Sequence, residues 1–280
     1  MALVKMKDLL LQARQEGRAC GAFNVGNMEM VMGAVQAACE LRTPIILQIA
    51  EIRLPHSPLA LIGPMMVEAA RQADVDIAVH LDHGKSGDVM KQALDLGFTS
   101  IMYDGSQLPL EDNIANTQEV RALADGYSAS LEAELGLVGG SEDNSGDHGI
   151  RFTDPEHARL FCEQTHVDAL AVAIGNAHGN YPVTPVLAFD ALEKIRDSVE
   201  VPLVLHGGSG ITDSDFRKAI SLGIRKINIA TASFNSLTAE VEAYCKTEAP
   251  HTYFGLNEAM RRGTAANVSR HIRVFNCGND

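Results

Sequence analysis

Short runs of branched aliphatic residues alternate along the chain with longer stretches in which apolar positions recur every three or four residues. The short runs fall at 21–25, 44–50, 76–82, 99–103, 127–134, 168–174, 201–206 and 224–229, and their length and content predict strands. The stretches near 28–41, 58–73, 86–96, 110–124, 154–165, 186–197 and 212–222, and a last one from about 232 to 246, carry a helical period. Punctuation fits this phasing. Asp154-Pro155-Glu156 reads as a helix N-cap followed by proline in the first turn. Gly97 and Gly223 stand where helices should stop, and Pro44 and Pro202 stand at strand starts, where a missing N–H costs least. Eight β-α units in alternation are the number that closes a parallel barrel. The predicted fold class is therefore α/β, a (β/α)8 (TIM) barrel. Residues 1–280 are expected to form a single domain, with the barrel at about 20–246 and a helical C-terminal extension at about 250–280. Two regions break the alternation. Residues 136–150 are glycine-rich and acidic and read as a loop over the barrel mouth. The tail after Pro250 carries a basic helical stretch, Met260 to Arg273, suited to packing on the barrel or on another subunit.

Composition narrows the function. A chain of 280 residues suits one barrel of this type, which takes about 250. The net charge of −13 argues against a nucleic-acid partner, because neutralising phosphates needs a basic face. Any phosphate site must then be local and built largely from backbone N–H groups. The five cysteines are odd in number and widely spaced, a pattern of reducing compartments that offers no disulfide framework. Charges occupy the positions where a signal peptide needs its apolar region. No apolar stretch approaches the roughly 18 residues of a membrane span. A cytoplasmic protein with no membrane partner is expected.

Three histidines then change the picture. His83, His178 and His206 each follow a strand run, as do Asp82, Glu134 and Asn228 to Thr231, so all of them fall on the C-terminal rim of the predicted barrel. A lone histidine in such a place is usually a hydrogen-bonded structural residue. Three at rim positions, beside an acid, describe a catalytic zinc site with an open coordination position. Asp82 would exchange protons beside the metal, as in a metal-assisted carbon–carbon lyase. His80, two residues before Asp82 on the same face, reads as a barrel-interior group. The remaining histidines lie in loops, helices or the tail and read as ordinary side chains. Gly207-Gly208-Ser209, together with Asn228-Ile229-Ala230-Thr231, reads as a phosphate cradle after strands 7 and 8.

These stretches resemble the class II, metal-dependent fructose- and tagatose-bisphosphate aldolases. The resemblance is carried by Gly21-Ala22-Phe23-Asn24, His80-Leu81-Asp82-His83, Asp104-Gly105-Ser106, Glu132-Ala133-Glu134-Leu135-Gly136, Gly139-Gly140-Ser141-Glu142-Asp143, Ala173 to Gly179, Leu205 to Ser209 and Asn228 to Thr231. It runs from about residue 2 to 245 and leaves out the tail. It implies a zinc ion on His83, His178 and His206 that polarises the carbonyl of dihydroxyacetone phosphate. It implies that Asp82 handles the aldehyde-oxygen proton and Glu142 the proton at the enolising carbon. Gly179, Gly207, Gly208, Ser209, Asn228, Ile229, Ala230 and Thr231 would bind dihydroxyacetone phosphate. Asp104 and Glu134 match positions that hold a second ion in relatives or else support the first set of ligands. A homodimer or homotetramer is expected.

Two departures concern the aldehyde half. Fructose-bisphosphate relatives place a serine after strand 2, where this chain has Ala50, followed by Glu51 and Arg53. The family lysine after His-Gly-x-Tyr is here Pro182. The aldehyde partner is thus expected to differ from glyceraldehyde 3-phosphate, with a conventional fructose- or tagatose-1,6-bisphosphate aldolase as the alternative. A Schiff-base aldolase needs a lysine at a strand's inner end. None of strands 5, 6 and 7 ends in lysine, and Lys226 reads as lying before the core of strand 8. A zinc hydrolase barrel would show His-x-His on its first strand, which Asn24-Val25-Gly26 is not. A non-catalytic stabilising subunit of an aldolase complex would be expected to have lost ligands that this chain keeps.

Overall fold

The computed structural model describes residues 2–140, 149–179, 185–247 and 250–278. Eight strands, β1 (Cys20–Asn24), β2 (Ile45–Ala50), β3 (Ile77–Gly84), β4 (Ser100–Tyr103), β5 (Ser130–Leu135), β6 (Ala169–Val172), β7 (Leu203–Leu205) and β8 (Ile224–Ile229), form a closed barrel in chain order. All pairings are parallel, including β8 back to β1. The strands are followed in turn by α2 (Met28–Glu40), α3 (Leu59–Gln72), α4 (Gly87–Asp95), α5 (Leu110–Gly126), α6 (Pro155–Thr165), α7 (Phe189–Ser198), α8 (Asp213–Ser221) and α9 (Thr231–Cys245). Helix α1 (Met6–Gln15) precedes the barrel and α10 (Tyr253–Phe275) follows it. The (β/α)8 barrel expected from the alternation is the observed fold.

The local signals act as their chemistry requires. Asp154 caps α6 by accepting from the N–H groups of Glu156 and His157 at 2.9 and 3.0 Å. Gly97 and Gly223 are both left-handed, at φ 94° and 113°, which glycine adopts without a Cβ penalty. Strand β5 starts three residues later than the sequence indicated. Tyr127 caps α5 and Ser128 turns the chain in the left-handed region at φ 55°, so a turn takes the place of the strand's first residues.

Residues alternate between a face packed on the helices and a face in the barrel interior. The interior is layered. At the N-terminal end, Cys20, Ala22, Ile46, Ala78, Ala169, Ala171 and Val204 are small or aliphatic, and Met6, Leu9 and Leu10 of α1 close over them. Helix α1 was not expected, although Met6, Leu9, Leu10 and Ala13 hold the i, i+3, i+4, i+7 spacing of a buried helical face. Above this floor the interior turns polar: Gln48, His80, Ser100, Glu132 and Lys226 are all fully buried. The next layer up is the rim that carries the candidate site.

The tail joins the barrel and does not project from it. Helix α10 packs against α2 and α9, and its Val268, Ile272, Val274 and Phe275 belong to the main core. The Phe275 carbonyl accepts from Ala19 N–H at 3.1 Å, which ties the helix end to the start of β1.

Candidate metal centre and active site

Asp82 and His83 are consecutive, yet both serve the interior, which simple strand alternation forbids. The register of β3 against β4 shifts between Leu81 and Gly84, and His83 takes φ 46°. This bulge turns the imidazole inward beside Asp82. A left-handed non-glycine residue costs on the order of 1 kcal/mol or more, and such strain gathers at functional sites. His206 follows β7 directly and is fully buried. Its successor Gly207 is left-handed, at φ 63°, and a Cβ there would overlap the Ala177 carbonyl. His178 is set by its backbone N–H, which donates to Gly139 O at 2.7 Å.

The three imidazoles converge. Ligand atoms of His83, His178 and His206 lie within 4.8 Å of one another. His83 Nε2 and His206 Nδ1 stand 3.0 Å apart, close to the roughly 3.3 Å between tetrahedral ligands on one zinc ion. Each of these two rings is aimed from behind by a carboxylate. His83 Nδ1 donates to Asp104 Oδ2 at 2.9 Å, and His206 Nε2 donates to Glu132 Oε1 at 2.8 Å. Such bonds fix the tautomer and leave the other nitrogen's lone pair for a metal.

The electrostatics fit a cation. Burial opposes a charge on His83, but the carboxylates of Asp82, Asp104 and Glu134 outweigh it and hold the imidazole well above its ordinary value. Burial, with the neighbouring Asp104 carboxylate, pushes Glu134 up to about 8. Burial and the charge of His83 lower His178 and His206, which leaves these two imidazoles neutral with a lone pair to offer. The donor set of imidazole nitrogens and carboxylate oxygens suits zinc.

Asp82 is fully buried and lies in a cage of side-chain amides. Asn24 Nδ2 and Gln48 Nε2 donate to Oδ2, each at 3.1 Å, and Asn228 Nδ2 donates to Oδ1 at 3.0 Å. Burial alone would raise its pKa, but nearby positive charge, His83 first and Lys226 included, brings it to about 2. The carboxylate is therefore an ionised base at neutral pH.

Other expectations land differently. Asp104 supports the first set of ligands: its Oδ2 accepts from His83, and its Oδ1 accepts from Ser106 Oγ and N–H at 2.7 and 3.2 Å. Glu134 does face the cluster, with Oε2 3.3 Å from His206 Nδ1, and it groups with His83 and Asp104 as a possible ion site. In the expected phosphate cradle some groups are already engaged. Gly208 N–H already donates to Asn228 O at 3.1 Å, and Ser209 Oγ accepts from Ala232 N–H at 2.9 Å. Asn228 turns its amide to Asp82. Ile229 ends β8, Ala230 caps α9 and Thr231 opens it, so this segment offers the start of a helix that lies beside Ser209. Gly179 follows His178 in the described chain. Glu142 lies outside the described residues, as do Tyr181 and Pro182.

The sequence reading missed Asn24 and Gln48 as partners of Asp82, and it missed Glu132 and Lys226. Spacing carried a signal for each. Asn24 ends its strand, Glu132 lies two residues before Glu134, and Lys226 lies two before Asn228, all on interior positions. Lys226 is not outside the core of β8. It is fully buried, with Nζ 2.8 Å from Glu132 Oε2.

With this geometry in hand, the comparisons with known proteins are decisive. The family profile for "Fructose-bisphosphate aldolase class-II" matches residues 4–280. The chain belongs to the class II fructose-bisphosphate aldolase family. The match runs through α10, which corrects the expectation that the resemblance stops near residue 245. The chain is 41% identical over 234 residues to a fructose-bisphosphate aldolase of Staphylococcus aureus, covering 82% of each chain. It is 42% identical over 236 residues to the 6-phospho-5-dehydro-2-deoxy-D-gluconate aldolase of Halalkalibacterium halodurans, covering 82% of this chain and 81% of that one. Among solved structures, the YdjI aldolase of Escherichia coli K12 superposes with a TM-score of 0.88 at 34% identity, covering 99% of both chains. The protein is an aldolase, a carbon–carbon lyase built on a (β/α)8 barrel. No helix among the described residues is long and apolar enough to cross a membrane.

Proposed function

We propose that the protein is a zinc-dependent aldolase that reversibly cleaves a ketose 1-phosphate into dihydroxyacetone phosphate and an aldehyde other than glyceraldehyde 3-phosphate. The observation that carries the metal half is the convergence of His83, His178 and His206 within 4.8 Å, two of them oriented by carboxylates. Bound there, zinc supplies Lewis-acid polarisation of the ketose carbonyl. The rest of the chemistry falls to the chain. Asp82, ionised and caged, takes the hydroxyl proton during cleavage and returns it to the aldehyde oxygen during condensation. The amides of Asn24, Gln48 and Asn228 hold its carboxylate in place between the two steps. Asn228 Oδ1 is buried with no hydrogen-bond partner among the described residues and is available to a substrate hydroxyl. Glu134, with Oε2 3.3 Å from His206 Nδ1, would be within reach as a further ligand. Glu142 is assigned the proton at the enolising carbon on the family resemblance. The substrate phosphate is assigned to Gly179, Gly207 to Ser209 and the start of α9, where helix N–H groups favour an anion.

The aldehyde half rests on Ala50. It pairs with Asp82 in register and is fully buried, and it puts a methyl group where bisphosphate relatives have a serine hydroxyl. Two relatives of near-equal identity are named for different substrates, so overall likeness does not select the aldehyde. Glu51 follows Ala50. Its Oε2 accepts from the N–H groups of Lys85 and Ser86 at 2.7 and 3.1 Å, which ties it to the loop after β3. A second phosphate that loses one hydrogen bond costs about 1–3 kcal/mol, or roughly 5- to 150-fold in affinity. The test compares kcat/KM for fructose and tagatose 1,6-bisphosphates with that for condensation products of dihydroxyacetone phosphate and unphosphorylated aldehydes. The unphosphorylated series is expected to win. A bisphosphate preferred by a wide margin makes this a conventional member of the family. We further place the protein in the cytoplasm, in keeping with five free cysteines, as a homo-oligomer.

A further inference from the structure

Beneath the rim lies a buried cation to which the proposed reaction assigns no bond and no proton. Lys226 is fully buried, and its Nζ lies 2.8 Å from Glu132 Oε2. The other oxygen of the same carboxylate accepts from His206 Nε2 at 2.8 Å. His206 Nδ1 in turn faces His83 Nε2 across 3.0 Å. The groups form a line from the barrel interior to the metal centre: Lys226, Glu132, His206.

The two orienting carboxylates are held in different ways. Asp104 sits at the rim, where Ser106 donates to it from both its hydroxyl and its backbone N–H. Glu132 sits one layer deeper, where strand N–H groups are committed to the ladder and cannot reach it. Its second oxygen therefore needs a side-chain partner. Lys226 provides it as an ion pair, reaching across the barrel, since β8 is not a neighbour of β5 in the sheet. The other candidate is His80, whose Nε2 lies 3.7 Å from the same oxygen, beyond hydrogen-bond range. The His80 ring is itself anchored by Nδ1 to Ser100 Oγ at 2.8 Å. Without Lys226 the carboxylate has one remaining place to turn, toward His80, and that turn carries Oε1 away from His206.

We propose that Lys226 is a positioning residue for the metal centre: it clamps Glu132 so that Glu132 aims His206. The clamp explains why a lysine occupies the inside of a barrel, closed to solvent. It also separates Lys226 from Schiff-base chemistry, since an amine paired below His206 is closed to a ketose carbonyl. The inference rests on the zinc reading of the three histidines.

The test uses the full-length protein, wild type and Lys226→Met, stripped of metal and titrated with zinc against a chromophoric chelator. Cobalt(II) spectra and thermal melts of the metal-free proteins are recorded alongside. Loss of a partner behind a metal ligand typically weakens binding about 10–100-fold, and Lys226→Met is expected to fall in that range with an altered cobalt spectrum. Glu132→Gln supplies a cycle. Once Glu132 is Gln the clamp is gone, so adding Lys226→Met to it is expected to leave zinc affinity within about twofold, whereas separable effects would add. Should Lys226→Met not fold, Lys226→Gln keeps an N–H for Glu132 without the charge, and a zinc affinity about tenfold weaker than wild type is expected. Wild-type zinc affinity and cobalt spectrum in the folded variant, with only a lower melting temperature, overturn the proposal and leave Lys226 structural. Absence of stoichiometric zinc binding in the wild type instead overturns the zinc reading beneath it.

Discussion

At the scale of single residues, the site joins two opposed demands at adjacent positions. Asp82 must stay charged where no water reaches it, and His83 must turn inward where strand alternation would send it out. Three amide donors and nearby positive charge meet the first demand, and the β3 bulge meets the second. Asp82→Asn tests the assignment. The amides of Asn24, Gln48 and Asn228 can rotate to meet an asparagine, so the variant is expected to fold and to bind zinc as tightly as wild type. Its turnover is expected to fall by roughly 10²–10⁴-fold, the range of general acid–base catalysis. Wild-type turnover with a competent aldehyde would remove Asp82 from the mechanism. The residues that the sequence did not reveal are the supports. His83, His178 and His206 announce themselves by residue type at strand ends. Asn24, Gln48, Glu132 and Lys226 matter through partners 34 to 94 positions away, and one chain read alone does not show which polar strand residues meet inside a barrel.

At the scale of elements, Asp168 joins three pieces at the barrel's N-terminal end. It takes Lys7 of α1 at 2.9 Å and Arg121 of α5 at 2.8 Å, and it accepts from Leu131 N–H of β5 at 2.9 Å. Burial pushes its pKa up, but these hydrogen bonds and the arginine charge outweigh it and lower the group. A native pKa below the unfolded value of about 3.9 means that protons bind the unfolded state more readily. The stabilisation is therefore full above about pH 4 and is lost as pH falls through the native value. Asp168→Asn is expected to lower stability at pH 7 by on the order of 1–2 kcal/mol, discounted because Lys7 is half exposed. The deficit should shrink in acid. Urea melts at pH 7 and below pH 4 check this, and an equal deficit at both would contradict it. Elements differed in how well the sequence disclosed them. The strands stood out through their aliphatic runs. Helix α1 was less legible because it stands outside the β-α alternation and its short apolar face of Met6, Leu9, Leu10 and Ala13 is interleaved with charged residues.

At the scale of the whole molecule, the tail and the floor finish what eight β-α units leave open. Helix α1 seals the N-terminal end of the barrel, and α10 covers α2 and α9 before returning Phe275 to the core. Val268, Ile272, Val274 and Phe275 are each no more than 4% exposed. At about 1.5–3 kcal/mol for each buried side chain, they contribute roughly 6–12 kcal/mol of burial, comparable to the whole stability of a typical domain. A chain ending at residue 250 is therefore expected to lose its cooperative thermal transition by circular dichroism. A truncated chain that melts like wild type would contradict the account of α10 as part of the core. The barrel was legible from periodicity because each unit repeats one pattern. The tail's docking was not, since it lies outside the repeating pattern and part of its apolar face meets α2, far back in the chain.

The central claim, a three-histidine metal centre that drives aldol cleavage, is tested most directly by metal content and activity measured on one preparation. The purified protein is assayed for zinc and for dihydroxyacetone phosphate release from a competent ketose 1-phosphate, then chelated, assayed again and reloaded. About one tightly held zinc per chain is expected, with activity lost on chelation, restored by zinc and untouched by borohydride in the presence of substrate. Full activity in thoroughly chelated protein, or inactivation by borohydride trapping, would contradict it.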